Sequence, residues 1–460
     1  MIPQEQYQEL VESDRQHVWH HLSQHAGYKN GSQSPLLMVK GEGTYVWDSN
    51  GKKYLDASSG GVWCVNVGYG RKSIVDAISK QLTEINFFAA TAGTPPAAEF
   101  SKKLLEKMPG LSRVYLASSG SEANEKAFKI VRQISHQKYG GKKYKILYRE
   151  RDYHGSTIAT LSATGQAERR EHYGPFVPGF VEFGHCCEYR SQFDNNEDYG
   201  IQAALELEKA ILREGADTVG SVVLEPITAG GGVIVPPETY WPKIAEICKK
   251  YNVLLHLDEV VCGLGRTGKW FGYQHYGIQP DIVTLAKGVA SSYAAISCTV
   301  TTEAVFNEFM ATPDDKLSFF RDISTFGGCT AGPAAAIENL RILEDEKLVE
   351  NSAIVGQYLL ERLTKLKEHH KVIGDVRGKG LLLGIELVKD RITKEPVHES
   401  FAMKIAAQCM SKGLIIGRTN RSFSSLNNTL CLCPVMTLTT EQADFIISTL
   451  DDVLAENKIT

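Results

Sequence analysis

Two apolar runs decide the fold: Val253-Leu254-Leu255-His256-Leu257, closed by Asp258-Glu259, and Ile282-Val283-Thr284-Leu285, closed by Ala286-Lys287-Gly288. Each is short, rich in branched residues and apolar on both faces, as expected of strands buried in the middle of a parallel sheet. Each also ends on a charge. Working outward, similar runs occur at 114–116, 145–148, 219–224 and 295–300. Between them lie stretches with apolar residues at helical spacing, over 122–134, 202–213 and 242–250. Strands alternating with helices predict an α/β fold with a mostly parallel, doubly wound sheet, whose ligands sit at the carboxyl ends of the strands.

Outside this region the pattern changes. Residues 45–55 read as a β-hairpin turning at Asn50-Gly51. The first thirty residues read as a helix and a lead-in. After residue 331 a long helical run leads into a turn and strand over 376–386. We therefore expect three segments. Residues 1–71 form an N-terminal segment belonging to a smaller domain, 72–330 the large domain, and 331–460 a C-terminal α+β small domain.

Composition narrows the function. The 460 residues are 43% hydrophobic and 23% charged, with a formal net charge of −4, so no large basic footprint for nucleic acid or anionic membrane is expected. No apolar stretch approaches the roughly 20 residues that span a bilayer. The first residues have neither a basic start nor an apolar run, so no secretory signal is expected. The ten cysteines then read as reduced thiols of a cytoplasmic protein. Cys186-Cys187 and Cys431-Leu432-Cys433 lack zinc-site spacing and read as core residues, and no metal is expected.

Four strand ends carry chemistry. Ser118-Ser119-Gly120-Ser121-Glu122-Ala123-Asn124 places Gly120 and Ser121 at a helix N-terminus, where free N–H groups and the helix dipole suit a phosphate; helix capping alone also accounts for Ser121. Asp258 ends a buried strand and needs a cationic or hydrogen-bonding partner, either a structural ion pair or a protonated ring nitrogen. Lys287 follows an apolar strand, where burial makes an amine a nucleophile or base. Tyr153, in Arg151-Asp152-Tyr153-His154-Gly155, offers an aromatic face. One ligand answers all four: a planar ring bearing nitrogen, a phosphate and an aldehyde. Pyridoxal 5′-phosphate fits, with Lys287 as its Schiff-base partner, Asp258 at the ring nitrogen, Tyr153 on one face and Val260 on the other. A rival is Gly263-Leu264-Gly265-Arg266-Thr267-Gly268, which matches a dinucleotide-binding pattern. Against a nicotinamide dehydrogenase stand the adjacent Asp258 and Glu259, and a following segment, Lys269-Trp270-Phe271-Gly272-Tyr273, that does not read as a helix.

Taken in order, Ser119-Gly120-Ser121-Glu122-Ala123-Asn124, Tyr153-His154-Gly155, Asp258-Glu259-Val260 with the glycine-rich turn, Leu285-Ala286-Lys287-Gly288 and Ser324-Thr325-Phe326-Gly327-Gly328 resemble class III aminotransferases of the fold-type-I pyridoxal-phosphate enzymes. The resemblance covers almost the whole chain. It implies that Lys287 and Asp258 are catalytic, that Thr325 reaches the phosphate of a neighbouring subunit, and that Glu225 in Leu224-Glu225-Pro226 lies near the cofactor. It implies a homodimer with sites at the interface, or a tetramer built from it. Within the class, Ser59–Gly70 looks like the ω-amino acid:pyruvate branch. There Trp63 would wall the substrate pocket and Phe88 would enter from the other subunit. Gly417-Arg418 is similar to the segment whose arginine binds the acidic end of the substrate, with Arg421 as a rival. An extra glycine before Arg418, Cys329-Thr330 and Ala294-Ala295 depart from the family pattern. The implied reaction is transamination of an ω-amine, taurine foremost and β-alanine or other amines as alternatives, with pyruvate becoming alanine. An aminomutase would share every cofactor residue.

Overall fold

The computed structural model describes residues 4–193, 197–310, 312, 314–420, 422 and 425–457. At its centre is a seven-stranded sheet in the order Arg113–Ala117, Ser297–Thr301, Ile282–Leu285, Leu254–Asp258, Val219–Leu224, Lys145–Arg149, Phe180–Phe183. Ser297–Thr301 is antiparallel to both neighbours, and the remaining pairings are parallel. The predicted strands are all present, shifted by no more than two residues at an end. Val219–Leu224 is buried along its whole length, which explains its unbroken apolar sequence. The edge strand Phe180–Phe183 was not anticipated: it is four residues long and only its last residue is buried.

The helices that alternate with these strands bury one stripe each. Gly120–Tyr139 sets Ala123, Ala127, Ile130, Val131 and Ile134 inside. Tyr199–Glu214 and Tyr240–Tyr251 do the same with Ala203, Leu207, Ile211 and with Trp241, Ile244, Ile247. Burying such a stripe is what holds these helices, since burying a large apolar side chain is worth about 1.5–3 kcal/mol.

Two smaller sheets flank the core. Met38–Glu42, Tyr45–Asp48 and Lys53–Asp56 form a meander whose last strand pairs in parallel with Leu414–Ile415. The hairpin turns through Gly51, at φ 80°. The second sheet runs Ile373–Lys379, Leu382–Leu387, Thr429–Leu432, Gly417–Arg418, all antiparallel. Here the sequence expectation needs correction. Residues 376–379 are not a turn but the end of a strand, and the turn is Gly380-Leu381. Two glycines and alternating charges in Ile373-Gly374-Asp375-Val376-Arg377-Gly378-Lys379 hid it. Cys186, Cys187, Cys431 and Cys433 are buried core residues. Among the described residues no helix is long and apolar enough to cross a membrane.

Candidate active site

At the carboxyl edge of the central sheet lies a cavity of about 900 Å³. Its lining includes Gly120, Ser121, Tyr153, Glu225, Asp258, Val260 and Lys287, which stand at or just beyond the carboxyl ends of five of the sheet's strands, together with Trp63 and Arg418. Thus nine of the residues singled out from sequence meet in one place. Phe88 and Thr325 do not line it. They lie together on the surface, where Phe88 N–H donates to Gly328 O at 3.3 Å. Phe88 is 51% exposed and Phe326, beside Thr325, 69%. Arg421 lies outside the described residues.

Lys287 stands at the end of Ile282–Leu285 with its backbone in the left-handed region, at φ 39°. Such a conformation costs a non-glycine residue energy and needs support. Buried Asn339 supplies it, donating through Nδ2 to Gly288 O at 2.9 Å and Val289 O at 3.0 Å. Lys287 Nζ donates to Val62 O at 2.8 Å. Val62 belongs to Ser59–Trp63, whose own Ser59 and Trp63 are also left-handed, at φ 46° and 63°. Burial pushes the Lys287 amine below its ordinary value, only partly offset by nearby Asp258 and Glu225. A neutral amine is the form that can attack a carbonyl or take a proton.

Asp258 is fixed by three donors. Asn124 Nδ2 and His154 Nδ1 both donate to Oδ2 at 2.8 Å, and Val260 N–H donates to Oδ1 at 3.1 Å. Behind Asn124 runs a buried chain. Thr284 Oγ1 donates to Asn124 Oδ1 at 2.8 Å. With its single proton committed there, Thr284 must accept from His256 Nε2, 3.1 Å away. The chain fixes which end of the Asn124 amide faces Asp258. His256 is buried, which pushes its pKa down to about 3 and keeps it neutral. Glu225 accepts from Tyr153 N–H at 2.8 Å and Ala229 N–H at 3.0 Å. Burial, reinforced by Asp152 and Asp258, raises its carboxyl well above the ordinary range.

The helix Gly120–Tyr139 points its N-terminus into the cavity. Its cap is Ser119, whose hydroxyl accepts from Glu122 N–H at 3.2 Å, so capping does not occupy Ser121. Ser121 Oγ accepts from Ser156 N–H at 3.0 Å. Gly155, at φ 145°, closes over this end: a Cβ there would lie 2.4 Å from Ser121 Oγ. A Cβ on Gly120 would press Val260 Cγ2 at 3.1 Å. The result is a cup of backbone donors and hydroxyls at a helix N-terminus, with Tyr153 and Val260 on the cavity wall, Asp258 beyond and Lys287 in reach. That donor set fits a phosphate, a flat ring, a ring nitrogen and an aldehyde in turn, so the residues present suit pyridoxal phosphate.

The glycine-rich turn does different work. No α-helix follows Gly268: the next element is a single 3-10 turn, Gly272–His275. Arg266 is fully buried, with Nη2 donating to Asn66 Oδ1 at 2.8 Å and Ser59 Oγ at 3.3 Å. The turn therefore braces the segment that carries Trp63, in keeping with the case made against the dinucleotide rival.

Sequence reasoning passed over Asn124, His154, Thr284 and Asn339, which hold the reacting groups, and Arg169, which lines the cavity. A polar residue inside an apolar strand was the available signal for Thr284. His154 sits directly after Tyr153.

A lysine, a carboxylate and a helix N-terminus on the carboxyl edge of such a sheet is the layout of a fold-type-I pyridoxal-phosphate transferase. The family model for class-III aminotransferases matches residues 27–454, and the chain belongs to that family. It is 60% identical over 447 residues to the hypotaurine/taurine–pyruvate aminotransferase of Paracoccus denitrificans, covering 97% of each chain. Among solved structures it is similar to a Bacillus anthracis aminotransferase, with a TM-score of 0.95, 40% identity, and 99% and 100% of the two chains covered. It is also similar to the omega transaminase of Pseudomonas jessenii in complex with PMP, with a TM-score of 0.91, 33% identity, and 97% and 98% covered.

Proposed function

We propose that the protein is a pyridoxal-phosphate-dependent ω-amino acid:pyruvate aminotransferase whose amino donor is taurine, giving sulfoacetaldehyde, and whose acceptor is pyruvate, giving alanine. The observation that carries it is the meeting of Lys287, Asp258 and Arg418 in the lining of one cavity. The likeness to the Paracoccus enzyme supports taurine.

The cofactor, when bound, supplies an electron sink and carries the amino group between the two substrates. Gly120 and Ser121 hold its phosphate. Tyr153 and Val260 would flank the ring, with Glu225 on the same cavity wall. Asp258, held by its three donors, would keep a proton on the ring nitrogen and so keep the ring electron-poor. Lys287, with its depressed pKa, takes the proton from the substrate's amine-bearing carbon at Nζ and returns it on the other side of the transfer. Trp63 walls the substrate space. Arg418, in the short strand paired with Leu430 and with Nη1 donating to Thr419 O at 3.2 Å, would bind the acidic end of donor and acceptor alike. The two half-reactions share the site, so the kinetics are ping-pong.

A homodimer completes the account. Phe88 and Thr325 form one exposed patch outside their own cavity, the disposition needed if they serve the site of a second copy. The division at 72 and 331 is supported by the pairing of Lys53–Asp56 with Leu414–Ile415, which joins the two ends of the chain. Ten free thiols support a cytoplasmic setting.

The test is a donor panel (taurine, hypotaurine, β-alanine, simple amines) with pyruvate, reading alanine formed. Taurine should lead. Turnover of a single substrate without any keto acid would favour an aminomutase instead.

A further inference from the structure

Arg169 brings a second guanidinium to the cavity. It lies on the short helix Ala167–Arg170, half-buried, and lines the cavity with Lys287, Tyr153 and Arg418. Its guanidinium carbon lies 4.8 Å from the centre of the Tyr153 ring. Nε donates to Gln166 Oε1 at 2.6 Å. Gln166 is itself fully buried and locked: its Nε2 donates to Arg151 O at 3.1 Å, and Ser422 Oγ donates to its Oε1 at 3.1 Å. The Arg169 guanidinium is thus tethered beside the Tyr153 ring, and Arg169 lines the cavity.

The geometry of the anion then matters. A carboxylate presents two oxygens in a plane, which one guanidinium can satisfy. A sulfonate presents three oxygens in a cone, and the third calls for a donor from another direction. We propose that Arg169 is a specificity-determining residue: a second anion ligand that, with Arg418, receives the sulfonate of the amino donor and favours it over carboxylates and over neutral amines. The inference rests on the reading of this cavity as the donor site.

The experiment uses the holoenzyme with Arg169→Met and Arg169→Lys. Methanesulfonate and acetate are titrated calorimetrically, and taurine, β-alanine and butan-1-amine are compared as donors. Losing one charge-assisted hydrogen bond should weaken methanesulfonate binding about ten- to a hundred-fold in Arg169→Met, several-fold more than acetate. The taurine KM should rise in parallel with a smaller change in kcat, the taurine to butan-1-amine preference should collapse, and Arg169→Lys should recover part of both. Equal losses for taurine and butan-1-amine would mean that Arg169 only props Tyr153, and would overturn the proposal. So would unchanged methanesulfonate affinity, or its failure to bind the unsubstituted enzyme. If taurine is no donor at all, the reading of function fails, and the two titrations still decide the role of Arg169.

Discussion

Thr284→Val removes one hydroxyl from the interior of the sheet and keeps the shape of the side chain. The hydroxyl links His256 Nε2 to Asn124 Oδ1, at 3.1 Å and 2.8 Å. Without it both atoms are left buried and unpaired, and each such orphan costs about 1–3 kcal/mol, so the fold should lose about 2–6 kcal/mol. The consequence for chemistry lies one bond further on. Asn124 then loses the anchor on its Oδ1, and its amide is held only through Nδ2, which donates to Asp258 Oδ2 and to His154 O at 2.8 Å each. The bond at risk, Nδ2 to Asp258 Oδ2 at 2.8 Å, is charge-assisted. Losing about 1.5–3 kcal/mol of support for the anionic carboxylate corresponds to about a ten- to a hundred-fold slower step wherever the protonated ring is needed. The assay is single-turnover amine consumption by the holoenzyme across pH, beside thermal inactivation, for Thr284→Val and Thr284→Ser. Serine keeps the hydroxyl, so it should retain most of the rate while losing some stability to the missing methyl. Equal rate losses in the two variants, or full rate in the valine variant, would refute the chain of hydrogen bonds as the support of Asp258.

Other outcomes follow from the same structure. Asp258→Asn should lose most activity because an amide cannot hold the ring nitrogen protonated; full kcat would remove Asp258 from that role. Arg418→Ala should raise the KM of acidic donors and of pyruvate far more than that of simple amines, by about tenfold or more for one lost ionic hydrogen bond; an equal effect on both would move anion recognition elsewhere. His185 is buried beside Arg151 and Arg149, and burial chiefly pushes its pKa down from 6.5 to about 3. Its folded pKa is depressed, so the stability tied to its neutral form is present above pH 6.5 and lost as the pH falls. Relative to His185→Gln, the wild type should therefore lose about 2 kcal/mol between pH 7.5 and 5. Denaturant titrations of both at the two pH values check this, and a pH-independent difference would contradict it.

Much of this was legible from the residues. Lys287 and Asp258 announce themselves because each closes an apolar strand on a charge, Gly120 and Tyr153 because they follow shortly after such strands, and Glu225 through the family resemblance; the fold collects strand ends on one edge. Their supports were not legible in the same way. Asn124 meets Thr284 and Asp258 only after the sheet has brought distant segments together, and neither partner is at helical or strand spacing from it. Arg169 was hidden for a related reason: its place in the cavity depends on Gln166 and Ser422, which are joined by folding alone. In the fold, Phe180–Phe183 and Ile373–Lys379 were missed where short length or glycines blurred the period on which strand prediction depends. The glycine-rich turn was correctly set aside from sequence as a dinucleotide site. Its pattern matched, but the physical requirement, a helix N-terminus after Gly268, is absent there, and its arginine is fully buried against Asn66 and Ser59.

The central claim is that the Lys287 amine, desolvated at the carboxyl edge of the sheet, is the point of attachment for the cofactor. Borohydride reduction of the protein incubated with pyridoxal phosphate, followed by peptide mass mapping, tests it directly. The account predicts a single reduced adduct, on the peptide containing Lys287, which vanishes in Lys287→Ala. A protein that stays colourless and unlabelled at this position, or an adduct on another lysine with turnover intact in Lys287→Ala, would contradict it.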